Sequence, residues 1–259
     1  MTKQARPLIL VTNDDSIIAP GIRTLIRIMN TIGEVVVVAP DSPQSGMGHA
    51  ITIHDTLRCL PAQQDAGPQT EYACSGTPVD CVKLAVHEIL DRTPDLIVSG
   101  INHGSNASVN VIYSGTMSAA VEGAMQRVPS IGFSLLDYSW DADFSAAEPY
   151  IKQIATSVLE KGLPAGVCLN VNIPKANGTP YAGIKVCRQT MGHWEEDFDI
   201  RIDPTGKPYY WMRGEFVDSD GGDDSDIWAL NHHYLSVVPI QFDLTAHHAL
   251  AAVHSVIGA

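Results

Sequence analysis

At 259 residues, with 45% apolar and 17% charged side chains, the chain is long enough to bury a large core and fits one continuous α/β domain carrying an appendage. It has no uninterrupted apolar run of the ~18 residues a membrane-crossing helix needs, and its start, with Lys3 and Arg6, lacks a secretory pattern, so a cytoplasmic protein with no membrane partner is expected. A formal charge of −13 argues against polymeric nucleic acid, whose binding depends on basic side chains; an anionic substrate would need a local cation to receive it.

Residues 8–11 and 35–38 are short apolar runs. Between them Ile22, Leu25, Ile26 and Met29 repeat at helical spacing behind Pro20 and Gly21, which gives a β-α-β unit. Thr77-Pro78-Val79-Asp80 announces a second helix, since threonine caps, proline suits the first position and aspartate the positive end. Val79, Val82, Val86 and Ile89 form its buried stripe. Residues 96–98 read as the next strand, 116–127 as a helix, 130–135 as a strand, 145–160 as a helix, and 167–173 as a strand closed by Pro174. This alternation predicts a three-layer α/β/α core around a largely parallel sheet.

From about Tyr181 the chain turns β-rich and polar, with the cluster Tyr209-Tyr210-Trp211 and an aspartate- and glycine-rich loop over 218–226. We expect a protruding C-terminal β-rich appendage over about 181–229, used in subunit contacts. A single domain then has its core over about 1–180 and 230–259, completed by a strand at 234–240 and a C-terminal helix at 246–257. The cysteines Cys59, Cys74, Cys81, Cys168 and Cys187 are odd in number and form no Cys-x-x-Cys pair, so reduced structural thiols are expected.

In an open parallel sheet, ligands collect at the carboxyl ends of the strands. Three such ends are polar and glycine-bearing or acidic: Thr12-Asn13-Asp14-Asp15, the stretch from Ala39 to Gly46, and Ser99-Gly100-Ile101-Asn102-His103-Gly104. Two adjacent carboxylates repel unless a cation or proton lies between them. Alone, such a pair reads as a helix cap with a solvated neighbour; beside two matching loops it points to a metal. Oxygen ligands from Asp14, Asp15, a serine hydroxyl and Asn102 suit Mg²⁺ or Mn²⁺. Ser75-Gly76-Thr77 and Ser114-Gly115-Thr116 each open a helix, where free N–H groups cap or receive phosphate.

Together, Asn13-Asp14-Asp15 with Ala19-Pro20-Gly21-Ile22, Ala39-Pro40-Asp41 with Gln44-Ser45-Gly46, Gly76-Thr77-Pro78-Val79-Asp80, Ser99-Gly100-Ile101-Asn102 and Tyr113-Ser114-Gly115-Thr116 resemble the SurE (survival protein E) nucleotidases. The resemblance implies a Rossmann-like fold and a 5′-nucleotidase using one divalent cation per subunit. Its substrates would be nucleoside 5′-monophosphates, with 3′-monophosphates and short polyphosphate as further ones, and it would be a homodimer or homotetramer with exchanged C-terminal elements. By position, the metal ligands fall on Asp14, Asp15, Ser45 and Asn102, with Asp14, Asp15 and Asn102 catalytic. Asn13, Gly46, Ser114, Gly115 and Thr116 fall where phosphate or substrate binds. His49 and His103 are proton-donor candidates or plain loop residues. The sequence departs from the family pattern at Ser16 and Ser108, where glycine is common, and at Asn110, where aspartate is common.

The rivals are weaker. An aspartyl-phosphate phosphatase of the haloacid dehalogenase type needs a second aspartate where Ser16 stands, and a phosphoryl-receiver module is much shorter than this chain. No Gly-x-Gly-x-x-Gly marks a dehydrogenase and no Gly-x-Ser-x-Gly a serine hydrolase. A nucleotide- or metal-sensing protein on the same fold stays open.

Overall fold

The computed structural model describes residues 6–258, so the basic start at Lys3 lies outside the described residues. Among the described residues eleven strands form: β1 (Leu8–Thr12), β2 (Glu34–Pro40), β3 (Cys59–Ala62), β4 (Thr70–Cys74), β5 (Leu96–His103), β6 (Ser130–Leu135), β7 (Val167–Ile173), β8 (Gly183–Val186), β9 (Gly192–Ile202), β10 (Pro208–Asp218) and β11 (Tyr234–Gln241). Nine of them make one sheet ordered β3-β4-β2-β1-β5-β6-β7-β11-β8. The run from β4 through β7 is parallel, while β3 and β11 pair antiparallel with their neighbours.

Every residue of β1 is buried, because helices cover both faces. The helix α1 (Pro20–Met29) and the later α4 (Glu148–Lys161) pack Ile22, Leu25, Ile151 and Ala155 onto Ile9, Val11, Val98 and Phe133. Helices α2 (Pro78–Leu84) and α3 (Gly115–Met125) cover the opposite face, with Cys81, Val82 and Ala119 against Leu10, Val38 and Ile97. Successive strand residues point to opposite faces, so the unbroken apolar runs of the sequence serve both layers at once. The three-layer core with its largely parallel sheet is as the sequence predicts. The β9–β10 hairpin, a separate two-stranded antiparallel sheet, is the protruding appendage.

The differences are local. The β3–β4 hairpin has no apolar alternation and is invisible to pattern reading. The second helix is short, passing into a wider π turn at Ala85–Ile89, with Val86 and Ile89 only half-buried. In the stretch expected to protrude, β8 instead joins the main sheet beside β11, and α5 (Asp226–Asn231) packs Ala229 and Leu230 inward. The expected C-terminal core helix forms as α6 (Leu250–Ile257) but buries none of its residues. Leu250, Val253, Val256 and Ile257 are all exposed. Apolar composition reports that a helix needs a partner, not that the partner is its own core.

Candidate functional site

The chain builds β1 and β2, crosses back, and places β5 on the other side of β1. This reversal leaves a crevice beyond the carboxyl ends of β1 and β5, the position where open α/β sheets bind ligands. Asp14 and Asp15 follow β1, and Asn102 lies near the end of β5, where the register with β6 shifts between Ser99 and Asn102.

Three other chain segments, the start of α3, the loop after β2 and the end of β5, converge on the Asp14–Asp15 pair. The Thr116 hydroxyl donates to Asp14 Oδ1, and a Cβ placed on Gly115 would lie 2.8 Å from Asp14 Cβ, so glycine there lets α3 close onto the carboxylate. The N–H of Gln44 donates to the carbonyl of Asp14 at 2.7 Å, and that of Gly48 to Tyr113 at 3.1 Å, which ties the loop carrying Ser45 and Gly46 to both sides. Asp15 accepts from the N–H of His103 at 3.1 Å. Asn102 donates its Nδ2 to Gly104 at 2.9 Å, and this leaves Oδ1 as its open acceptor.

The pair is electrostatically unbalanced. Burial pushes the Asp14 carboxyl up and the neighbouring Asp15 adds to it; hydrogen bonds from Thr116 work against both, and the result is about 6. Asp15 is also raised, chiefly by burial, against the opposing N–H of His103. Among the described residues no Lys, Arg or His side chain forms an ion pair with either one. Nor is any group of three or more His, Cys, Asp or Glu side chains among those residues placed to hold a metal ion. Any further donors to a cation here are neutral oxygens.

The remaining predicted residues take distinct places. Ser45 is exposed, and Gly46 beside it has φ +76° with open space where a side chain would stand. Asn13 is fully buried; its Nδ2 closes the turn onto the Ser16 carbonyl at 2.8 Å, and its Oδ1 has no partner among the described residues. Ser114 caps α3 by accepting from Met117 N–H at 3.0 Å. The other candidate phosphate receiver is already filled. At the start of α2 the Asp80 carboxylate accepts from Thr77 N–H and from the N–H and hydroxyl of Thr52, so an internal anion occupies the place sequence reading offers to phosphate.

Each of the two histidines has one ring nitrogen engaged, while His103 Nε2 is buried without a partner among the described residues. His49 Nε2 lies 3.2 Å from Glu122 Oε2. Burial opposes ionisation of Glu122, but hydrogen bonds from His49, Lys83 and Gln126 outweigh it and hold the carboxyl at about 2. His103 donates Nδ1–H to the Ser139 carbonyl at 2.8 Å, stacks on Trp140 and meets Phe144 edge-on; its ring pins the 137–144 loop.

Ser16 and Ser108 explain themselves. Both have left-handed backbones, φ +87° and +54°, which cost a side-chain-bearing residue about 1–2 kcal/mol. Ser16→Gly is expected to stabilise the fold by about 0.5–1 kcal/mol after the entropic cost of glycine, a rise of roughly 1–4 °C in a thermal melt. A lower melting temperature would show that the turn carries no strain. Ser108 differs, since its hydroxyl also donates to the Thr190 carbonyl at 2.9 Å.

Sequence reading missed the link between the appendage and the site. Asp226, fully buried, accepts from Ser108 N–H at 2.8 Å and from the Thr190 hydroxyl at 2.6 Å, and Trp194 Nε1–H donates to Asn110 Oδ1 at 2.8 Å. These contacts span 36 to 118 residues of chain, and no local pattern announces them.

Residues 9–196 match the family model described as "Survival protein SurE". The chain is 63% identical over 251 residues, 97% of it and 98% of the relative, to the "5'-nucleotidase SurE" of Flavobacterium psychrophilum. To the protein of that name from Flavobacterium johnsoniae it is 60% identical over 253 residues, 98% of each. The crystal structure of the SurE protein from Aquifex aeolicus matches with a TM-score of 0.83 at 37% identity, covering 97% of this chain and 100% of that one. With its carboxylate pair at the sheet's switch point and this likeness along nearly its whole length, the chain belongs to the SurE family.

Proposed function

We propose that this chain is a divalent-metal-dependent 5′-nucleotidase, a phosphomonoesterase that converts nucleoside 5′-monophosphates to nucleoside and phosphate. The observation that carries the reading is the Asp14–Asp15 pair, buried at Asp14 and half-buried at Asp15, both raised in pKa and without a cationic side-chain partner among the described residues. Burying two like charges is costly without a counter-charge, and an all-oxygen setting suits a hard cation, Mg²⁺ or Mn²⁺. The likeness to relatives named 5'-nucleotidase supports the substrate class.

Asp14 and Asp15 would hold the ion, with Ser45 Oγ and Asn102 Oδ1 completing its shell. When bound, the ion supplies a water of lowered pKa and polarises a phosphoryl oxygen. Thr116 and the positive end of α3 fix Asp14; the His103 N–H fixes Asp15. N–H groups in the first turn of α3 and the open Gly46 loop would take up phosphate charge. Asn13 shapes the turn beneath. The assembly is a homodimer or homotetramer, a reading supported by the exposed apolar residues of α6.

Phosphate release from a panel of nucleoside 5′- and 3′-monophosphates and tripolyphosphate, with Mn²⁺, with Mg²⁺ and with excess chelator, tests this. Release from 5′-monophosphates that stops with chelator is expected, and the other substrates rank beside them. Ligand binding without release under every condition would overturn the phosphatase reading in favour of a sensor.

A further inference from the structure

We propose that the cavity between the β9–β10 hairpin and the start of α3 seats the nucleobase of the substrate, so that the appendage sets which nucleotides are accepted. This rests on the nucleotidase reading and deepens it by naming the residues that grip the base. The cavity holds about 480 Å³ and is lined by Asn110, Tyr113, Trp194, Glu196, Met212 and Arg213, a volume within the range of small-molecule sites.

Its position follows from the chain. Tyr113 immediately precedes Ser114, the cap of α3, and accepts from Gly48 in the Ser45–Gly46 loop. The cavity wall and the phosphate-facing elements are therefore neighbours along the backbone, as the two ends of one nucleotide would require.

Its chemistry is that of a flat, weakly polar ring. Tyr113 and Trp194 are 54% and 38% exposed, and aromatic faces stack on any base. The indole is held in place by its bond to Asn110 Oδ1 and by Phe216, edge-on at 5.9 Å, so little freedom is lost when a base docks on it. Because the indole takes Asn110 Oδ1, the amide presents Nδ2 as a donor, matched to a ring nitrogen or carbonyl of a base. The hairpin cannot drift away from this wall, since Asp226 fastens its root at Thr190 to the Ser108–Ile112 turn.

The test compares nucleoside 5′-monophosphates with ribose 5-phosphate, which has the phosphate and sugar but no base, in the full-length protein and its Tyr113→Leu and Trp194→Leu variants. Calorimetric titration with the free nucleosides adenosine, guanosine and cytidine gives a readout independent of turnover. Each variant is expected to lower the ratio of kcat/KM for nucleotides to that for ribose 5-phosphate by about tenfold, the size of one stacking contact, mainly through KM, and to weaken nucleoside binding. Tyr113 is surface-exposed, so its variant decides the matter should Trp194→Leu misfold. Equal losses on both substrates, or an unmoved ratio and unaltered nucleoside binding, would overturn the proposal. A wild-type protein that releases no phosphate would instead defeat the nucleotidase reading, and nucleoside binding weakened by Tyr113→Leu would still uphold the base seat.

Discussion

Asp14→Asn is expected to cut metal-dependent phosphate release by more than about 100-fold, the loss that follows when a metal site is disturbed, while making the metal-free protein more stable at neutral pH. The two effects have one cause. In the folded chain Asp14 titrates at about 6 against an ordinary value of 3.8, because burial and then Asp15 disfavour its charge. The fold binds that proton more tightly than the unfolded chain does. The resulting stability is fully present below the ordinary value and is lost as pH rises through about 6.

A shift of this size corresponds to about 3 kcal/mol, so the wild-type protein in chelator should weaken by that order between about pH 4 and pH 7. Asparagine keeps an acceptor for the Thr116 hydroxyl and carries no charge, so the variant should lose this pH dependence. Calorimetric melts of both proteins in chelator at the two pH values, beside phosphate assays with Mn²⁺, measure the pair of effects. A variant less stable than wild type at neutral pH would mean that Asp14 is an ordinary structural carboxylate, and the case for a cation between the two aspartates would fail.

Gly21→Ala should destabilise the fold by about 3 kcal/mol, the upper end of overpacking costs, which lowers the melting temperature by roughly 6–12 °C. On helix propensity alone the sign is opposite, since alanine in a helix is worth up to about 1 kcal/mol over glycine. Tertiary packing decides it. A Cβ at Gly21 would overlap the carbonyl oxygen of Ile101 and stand 3.0 Å from its carbon, and these are backbone atoms of a central strand that cannot swing aside. Asn102 is the next residue, so the displacement should also reduce kcat/KM. A thermal melt settles the sign, and a variant as stable as wild type would show that α1 and β5 have room to separate.

Much of this architecture is written locally. Apolar runs buried on both faces, the proline-led starts of α1 and α2, and three polar strand ends specify the parallel core and bring Asp14, Asp15 and the Asn102 loop to one edge. The contents of those strand ends are legible because chemistry restricts them: adjacent carboxylates need a reason. Contacts that depend on distant partners are not legible. The motif Thr77-Pro78-Val79-Asp80 places an aspartate at the start of α2, but nothing in it shows that Thr52 will join it there, and nothing in Gly21 shows Ile101. The apolar face of α6 reads like a core helix, since periodicity carries no information about which surface it meets. The departures at Ser16 and Ser108 mark left-handed turns only once the backbone is seen.

The placing of β1 between β2 and β5 also has a consequence in time. Ile9 pairs with Leu96, so the first strand leaves the ribosome long before one of its two neighbours exists. At about 5–20 residues per second, a strand that is apolar on both faces waits roughly 4–17 s with an unpaired edge. During synthesis that edge is open to pairing with another copy, and the crevice above it cannot be assembled before β5 has been made.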